Sequence, residues 1–439
     1  MRKDIFDFRY WKKVLTGSPT RKRLTGNFFS LSILQALNYI LPLITLPYLV
    51  RVLGPEKYGL ISFAQAFIGY FIILTDYGFS LSATREISIH RDNKEKVSEI
   101  FSSVMTIKFF LGILSFIILA IMLALIPRFG QDWLIYILTF GTVLGNILFP
   151  IWFFQGMENM KWITILNIVS KTIFTICIFI FIHRVSDYPY VALINSLGYL
   201  VAGIISLIIV FKNFKVKFVL PKLENIKYQL KEGWHIFVSN IAISLYTTSN
   251  TFILGLFTNN TIVGYYSGAE KIVKAVQGLI NPISQTIYPY LSKLAIESKE
   301  KALIFLRKLV KIIGTAFFIV SLLIFILAPF IVKIILGNQY QQSILPLRIL
   351  SFLPFIIGFS NIFAIQGLYA FRLQWVVSRF IIPIAFFHLI LLSILTYLYS
   401  LIGVSVAVII TEVLITIFSM KYFLKFIVKK KENIYEKFY

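Results

Sequence analysis

The chain has 439 residues, 58% of them hydrophobic and only 14% charged, with a formal net charge of +24. That much apolar side chain exceeds what a soluble core can hide, so a soluble globular class is excluded and the chain is expected to live in lipid. A single cysteine, Cys177, excludes internal disulfides and cysteine-based metal clusters.

The first 26 residues contain no apolar core, so no cleavable signal peptide is expected and the first span is its own insertion signal. In this basic leader, residues 1–26, Ile5, Phe8, Trp11 and Leu15 fall at helical spacing, with Arg9, Lys12 and Lys13 on other faces. The pattern fits a helix lying on the inner leaflet, and equally a disordered basic tail.

From Asn27 on, about twelve stretches reach the roughly 20 apolar residues a spanning helix needs. They are 27–52, 58–80, 101–126, 133–155, 162–183, 188–211, 233–257, 262–291, 312–336, 344–370, 375–400 and 402–428. Transmembrane strands alternate apolar and polar residues, whereas FLGILSFIILAIMLALI (110–126) is apolar all round. An all-α integral membrane protein follows.

The loops carry the charge. With the N-terminus in the cytoplasm, about 32 of the 43 Lys and Arg fall in loops and tails on that side and about five on the other. This is the positive-inside pattern. It places both termini in the cytoplasm and explains the basic balance without nucleic acid, which is not expected as a partner.

The stretch LPYLVRVLGPEKYGLISFAQAF (46–67) joins the first two spans through a very short outer turn. Setting YGLISFAQ (58–65) on VGYYSGAE (263–270) pairs Gly59 with Gly264, Ser62 with Ser267 and Ala64 with Ala269, at an offset near half the chain. Duplicated halves are common in transporters. The expected organisation is an N-terminal six-helix lobe (27–211), a cytoplasmic linker (212–232), a C-terminal six-helix lobe (233–428) and a cytoplasmic tail (429–439). A pseudo-two-fold axis along the membrane normal would relate the lobes. Small residues are also common wherever membrane helices pack closely.

With DYGFSLSATREIS (76–88) and VGYYSGAEKIV (263–273), that stretch resembles the polysaccharide repeat-unit flippases, the Wzx-type transporters of O-antigen and capsule pathways. They belong to the multidrug/oligosaccharidyl-lipid/polysaccharide exporter superfamily. The resemblance runs from about Asn27 to Phe426. It implies a twelve-helix, two-lobed exporter in the bacterial cytoplasmic membrane that turns over an undecaprenyl-pyrophosphate-linked oligosaccharide by alternating access. A polysaccharide polymerase and chain-length proteins are candidate partners, and no cofactor is expected.

Ionisable groups inside a membrane are costly and usually face an aqueous cavity. Lys171 lies about 14 Å along its helix from Trp162, with no carboxylate one turn away. It either faces the cavity or is satisfied by carbonyls between helices. Lys271 and Lys274 sit at similar depth from the outer side, where Glu270 can neutralise Lys274 and leaves Lys271 over. Arg348, between Pro346 and Pro354, offers a planar fork suited to phosphate oxygens, or snorkels outward. These four are the candidate pyrophosphate ligands.

Arg51, Lys108 and Arg379 are read as nearer span ends, within reach of headgroups. Arg51, Asp76, Arg85 and Glu86 are assigned to a gate or an interface salt-bridge set. Glu270, Glu412 and His388 are candidates for energy coupling, with Glu412 otherwise a partner for a base such as Arg348 and His388 otherwise an ordinary interhelical histidine.

A membrane glycosyltransferase or polymerase would need an acid/base set beside the membrane, and the outer loops are too short to hold one. No Ser/His/Asp set, metal cluster or phosphate-cradling loop is found, so the chain is not expected to be an enzyme. A drug exporter of the same superfamily is the nearer rival, but cationic drugs call for buried carboxylates, and the candidate cavity groups here are mainly basic.

Overall fold

The computed structural model describes the backbone of residues 19–428 and the side chains of residues 41–427. The interfacial helix expected within residues 1–18 and the tail from 429 lie outside the described residues. Every regular element is helical, and no strand occurs among the described residues. Among the described residues, eight helices are long and apolar enough to cross a bilayer. This is a multi-pass helical membrane protein.

The spans depart from the sequence reading in informative ways. The first two are continuous as Pro19–Asp76, bent only where Gly54 takes φ 68° and ψ 173°. That positive φ suits glycine, and Pro55 then restarts the helix at a position where its missing N–H costs nothing. Leu-Gly-Pro is thus a complete turn between the first two spans. The last two spans are continuous as Gln374–Phe423, reversing at Ser400 (φ 49°).

The expected seventh and eighth spans are instead broken. Residues 233–257 divide into Leu223–Thr247 and Ser249–Phe257, and 262–291 into Asn260–Gln277 and Ile280–Glu297. Around the first break runs Thr247-Thr248-Ser249-Asn250, whose side chains compete for backbone bonds. Gly278 sits at the second. None of these four pieces is long and apolar enough to count as a span.

The chain divides into two compact units. One comprises residues up to Leu41 together with Phe67–Asn240, and the other comprises Pro42–Ala66 and Ile241 onward. The core of the first gathers Phe101, Val104, Trp152, Phe153 and Phe154 around Phe79 and Ile87. Its helices Trp133–Leu148 and Tyr188–Asn213 approach closely, because Gly145 lies against Tyr199 and Gly203 against Leu148. The second unit has its own core of Leu291, Leu306, Leu368, Phe371, Val376 and Phe380.

In the second unit the paired motif residues meet. A Cβ on Gly59 would overlap the carbonyl oxygen of Asn260, and one on Gly264 would overlap that of Pro55. Ser62, Ala64, Ser267 and Ala269 are all buried beside this crossing. The small residues therefore set a backbone-to-backbone contact that a larger side chain would force apart.

Candidate functional site

In the first unit the DYGFS motif builds a sharp turn. Tyr77 (φ 45°) and Gly78 (φ 78°) both take left-handed conformations. A Cβ on Gly78 would lie 2.9 Å from the carbonyl oxygen of Gly233, and one on Gly233 would lie 2.7 Å from that of Tyr77. The Tyr77 ring stacks on Phe237 at 4.7 Å. This turn aims the following helix, Ser82–His90, so that Arg85 reaches Glu232 at 2.6 Å and Glu86 at 3.3 Å.

Hydrogen bonding to Glu232, then to Glu86, holds the Arg85 guanidinium above its ordinary pKa. The side chain is 59% exposed, so water screens the pair and it contributes little stability. Glu232 was not legible as the partner, since 147 residues separate the two. Asp76, expected in the same set, instead lies within electrostatic range of Lys108.

Lys108 corrects the sequence reading. It does not reach for headgroups: its side chain is 1% exposed and its Nζ donates to the Asn146 carbonyl at 3.4 Å. It lies on Lys94–Leu125, 14 residues beyond Lys94, with its side chain turned into the unit and not outward. Lys171 is half-buried on Lys161–Phe181 and is already engaged in an interaction of its own.

The second unit holds the remaining candidates. The Arg51 guanidinium donates to the carbonyl of Ile334, at the end of the π-helical turn Val332–Leu336, and its side chain lies against Gly337. Arg51 thus caps a helix C-terminus, where a cation meets unsatisfied carbonyls.

On Asn260–Gln277, Lys274 bridges Glu270 at 3.0 Å, and the Tyr266 hydroxyl donates to the same carboxylate at 3.4 Å. Lys271 turns the other way and sits 5.0 Å over the Tyr58 ring. Arg348 lies 5.7 Å over the Phe325 ring, with its Nε buried and lacking a hydrogen-bond acceptor. Among the described residues no carboxylate lies within 4 Å of Lys271 or Arg348. Two cations of this unit therefore rest on aromatic faces with donors to spare, while Lys274 is paired with Glu270.

Glu412 is not bridged to Arg348. It is half-buried, and its nearby polar neighbour is Tyr246. His388 is fully buried, with Nδ1 2.7 Å from the Thr411 hydroxyl and Nε2 3.0 Å from Asn250 Oδ1. Thr411 also donates to the Ala407 carbonyl at 2.9 Å. The imidazole thus ties Gln374–Phe423 to Ser249–Phe257. Asn250, Thr411, Tyr58 and Phe325 carry no sequence signal that separates them from ordinary helix-packing residues.

Solved structures share this fold. An inward-facing multidrug resistance MATE family transporter of the MOP superfamily superposes with a TM-score of 0.68 at 16% identity, covering 90% of this chain and 98% of that one. The lipid II flippase MurJ, in an inward closed conformation, gives 0.66 at 15% identity, covering 92% and 93%.

Sequence relatives narrow the class. The family model described as "Polysaccharide biosynthesis protein" matches residues 24–295. A protein of Escherichia coli K12 named "Putative O-antigen transporter" is 38% identical over 396 residues, 90% of this chain and 95% of that one. A protein of the same name from Shigella dysenteriae is 30% identical over 398 residues, covering 90% and 98%. The chain belongs to the polysaccharide biosynthesis protein family, the group its motifs resemble.

Proposed function

We propose that this protein is a flippase carrying undecaprenyl-pyrophosphate-linked oligosaccharide repeat units from the inner to the outer leaflet of the cytoplasmic membrane, for surface polysaccharide synthesis. The observation that carries the reading is a pair of cations, Lys271 and Arg348, that among the described residues lack a carboxylate within 4 Å. An anionic pyrophosphate satisfies such groups, whereas a cationic drug is repelled. The names of the O-antigen relatives agree in kind. Lys171 and Lys274 extend the set, the latter when Glu270 releases it.

The same reading supplies the finer organisation: twelve spans in two six-helix lobes, joined by 212–232, with both termini cytoplasmic and alternating access between the leaflets. Residues brought together by a two-fold axis meet their own equivalents on it, and the approach of Gly59 to Gly264 has that character. Arg51 acts at the outer gate and the Arg85–Glu86–Glu232 set at the inner end. Glu270 and Glu412 are the carboxylates placed to exchange a coupling cation, and His388 is placed to hold a proton.

The experiment is transport by the purified chain in liposomes. Lipid-pyrophosphate-linked oligosaccharide should become accessible on the opposite leaflet, and a lipophilic cation should not accumulate. Lys171→Glu should abolish the signal at normal protein level, since it sets like charge against the cargo. Cation accumulation without oligosaccharide flipping would make the chain a drug exporter.

Sidedness has its own check. In a Cys177→Ser background, cysteines at Asn260 and Asn338 should label from outside intact cells, and one at Lys227 only after the inner face is opened. Lys227 is exposed, whereas the Asn225 amide donates to Glu99. Outside labelling at Lys227 would overturn the two-lobe scheme.

A further inference from the structure

The connecting segment 214–222 has a placement that its basic composition does not explain. It has no regular secondary structure, and two of its backbone N–H groups are fixed on the Lys94–Leu125 helix: Lys217 donates to Ser98 Oγ at 3.1 Å and Val219 to Ser102 Oγ at 2.9 Å. Those hydroxyls are already bonded along their own helix, Ser98 to the Lys94 carbonyl and Ser102 to that of Ser98, so each acts toward the segment as an acceptor. The Asn225 amide bonded to Glu99 adds a third tie. The segment is a strap fastened to one helix.

Its depth follows from helix length. Thirty-two residues span about 48 Å, roughly 18 Å more than a hydrocarbon core. The surplus lies at the N-terminal end, where Lys94, Glu95, Lys96 and Glu99 precede a run whose only further charge is Lys108. Ser98 and Ser102 lie about 6 and 12 Å from that end, so the strap runs at headgroup depth.

There it turns the wrong residues outward for a solvated loop. Val216 is buried against the unit, but Phe218 is 57% exposed, Leu220 88% and Leu223 66%. Around them Lys212, Lys215, Lys217 and Lys222 are all exposed. Across 212–232 the acids are Glu224 and Glu232, the latter spent on Arg85.

We propose that this strap is a membrane-surface anchor, with Phe218, Leu220 and Leu223 inserted at the acyl boundary of the cytoplasmic leaflet and its lysines on anionic headgroups. The lysines draw the strap toward an anionic leaflet, and apolar insertion adds to that attraction. The anchor holds this segment at a fixed depth on one helix. It stands whatever the cargo is.

The test uses the full chain in nanodiscs, in a Cys177→Ser background, with a fluorophore on Leu220→Cys and, as reference, on Lys227→Cys. In discs containing phosphatidylglycerol, brominated acyl chains should quench the label at residue 220 and aqueous iodide should not. Replacing Lys215, Lys217 and Lys222 with Gln should reduce the bromine quenching to the level seen in discs of phosphatidylcholine alone. Iodide quenching at 220 without a bromine effect overturns the proposal. Shielding that arises only with added lipid-linked oligosaccharide, or only as protein concentration rises, also overturns it, and assigns the patch to cargo or to a second copy.

Discussion

Gly264→Ala is expected to leave far less folded protein than Ser267→Ala, although the two positions are three residues apart and each change involves a single heavy atom. The added Cβ at Gly264 would coincide with the Pro55 carbonyl and lie 3.0 Å from its Cα, both backbone atoms that cannot rotate away. The helices must separate, so the cost lies above the roughly 1–3 kcal/mol of ordinary overpacking. Gly59→Ala meets Asn260 in the same way and should behave alike.

Ser267 and Ser62 are different. Both hydroxyls are buried without a hydrogen-bond partner, so removing either oxygen relieves an unsatisfied group and should be neutral or slightly stabilising. The measurement is the monodisperse yield and thermal unfolding of the four single variants in one detergent. Equal tolerance of Ala at Gly264 and Ser267 would remove the close crossing. A severe loss at Ser267 would mean the motif serines bind something.

That contrast shows what the sequence could reveal. Apolar runs and loop charge identified a multi-pass helical protein, because lipid imposes one length and one polarity rule on every span. The small-residue match identified the right residues without showing that they touch. Breaks at Thr248 and Gly278 were hidden, since a helix interrupted by one residue keeps its hydropathy. Arg348 could be singled out as an intramembrane charge, but the absence of a carboxylate near it depends on contacts between distant segments. Lys108 was misplaced for the same reason: distance along a helix does not say which way the side chain faces. Glu232 and Tyr58 could be found only once the chain had brought them to Arg85 and Lys271.

Arg348→Ala is expected to insert normally yet fail to deliver repeat units, and no change at a carboxylate should rescue it. Charge-assisted hydrogen bonds to cargo are worth about 1.5–3 kcal/mol, on the order of a 10- to 150-fold loss of transport if the contact holds the pyrophosphate in the rate-limiting state. Arg348→Lys keeps the charge but loses the fork and its stacking on Phe325, so partial delivery is expected. Lys271→Ala should resemble Arg348→Ala. Lys274→Ala differs, because it leaves the Glu270 carboxylate beside Tyr266 without its cation. If that bridge is only structural, Glu270→Gln combined with Lys274→Ala restores folding and transport together. If Lys274 also grips cargo, the double variant folds and stays defective. Complementation of surface polysaccharide in a flippase-deficient strain, with protein level measured alongside, separates these outcomes. Normal polysaccharide from the Lys271→Ala, Arg348→Ala double variant would refute the anionic-cargo assignment, because both cations that lack a nearby carboxylate in this unit would then be dispensable.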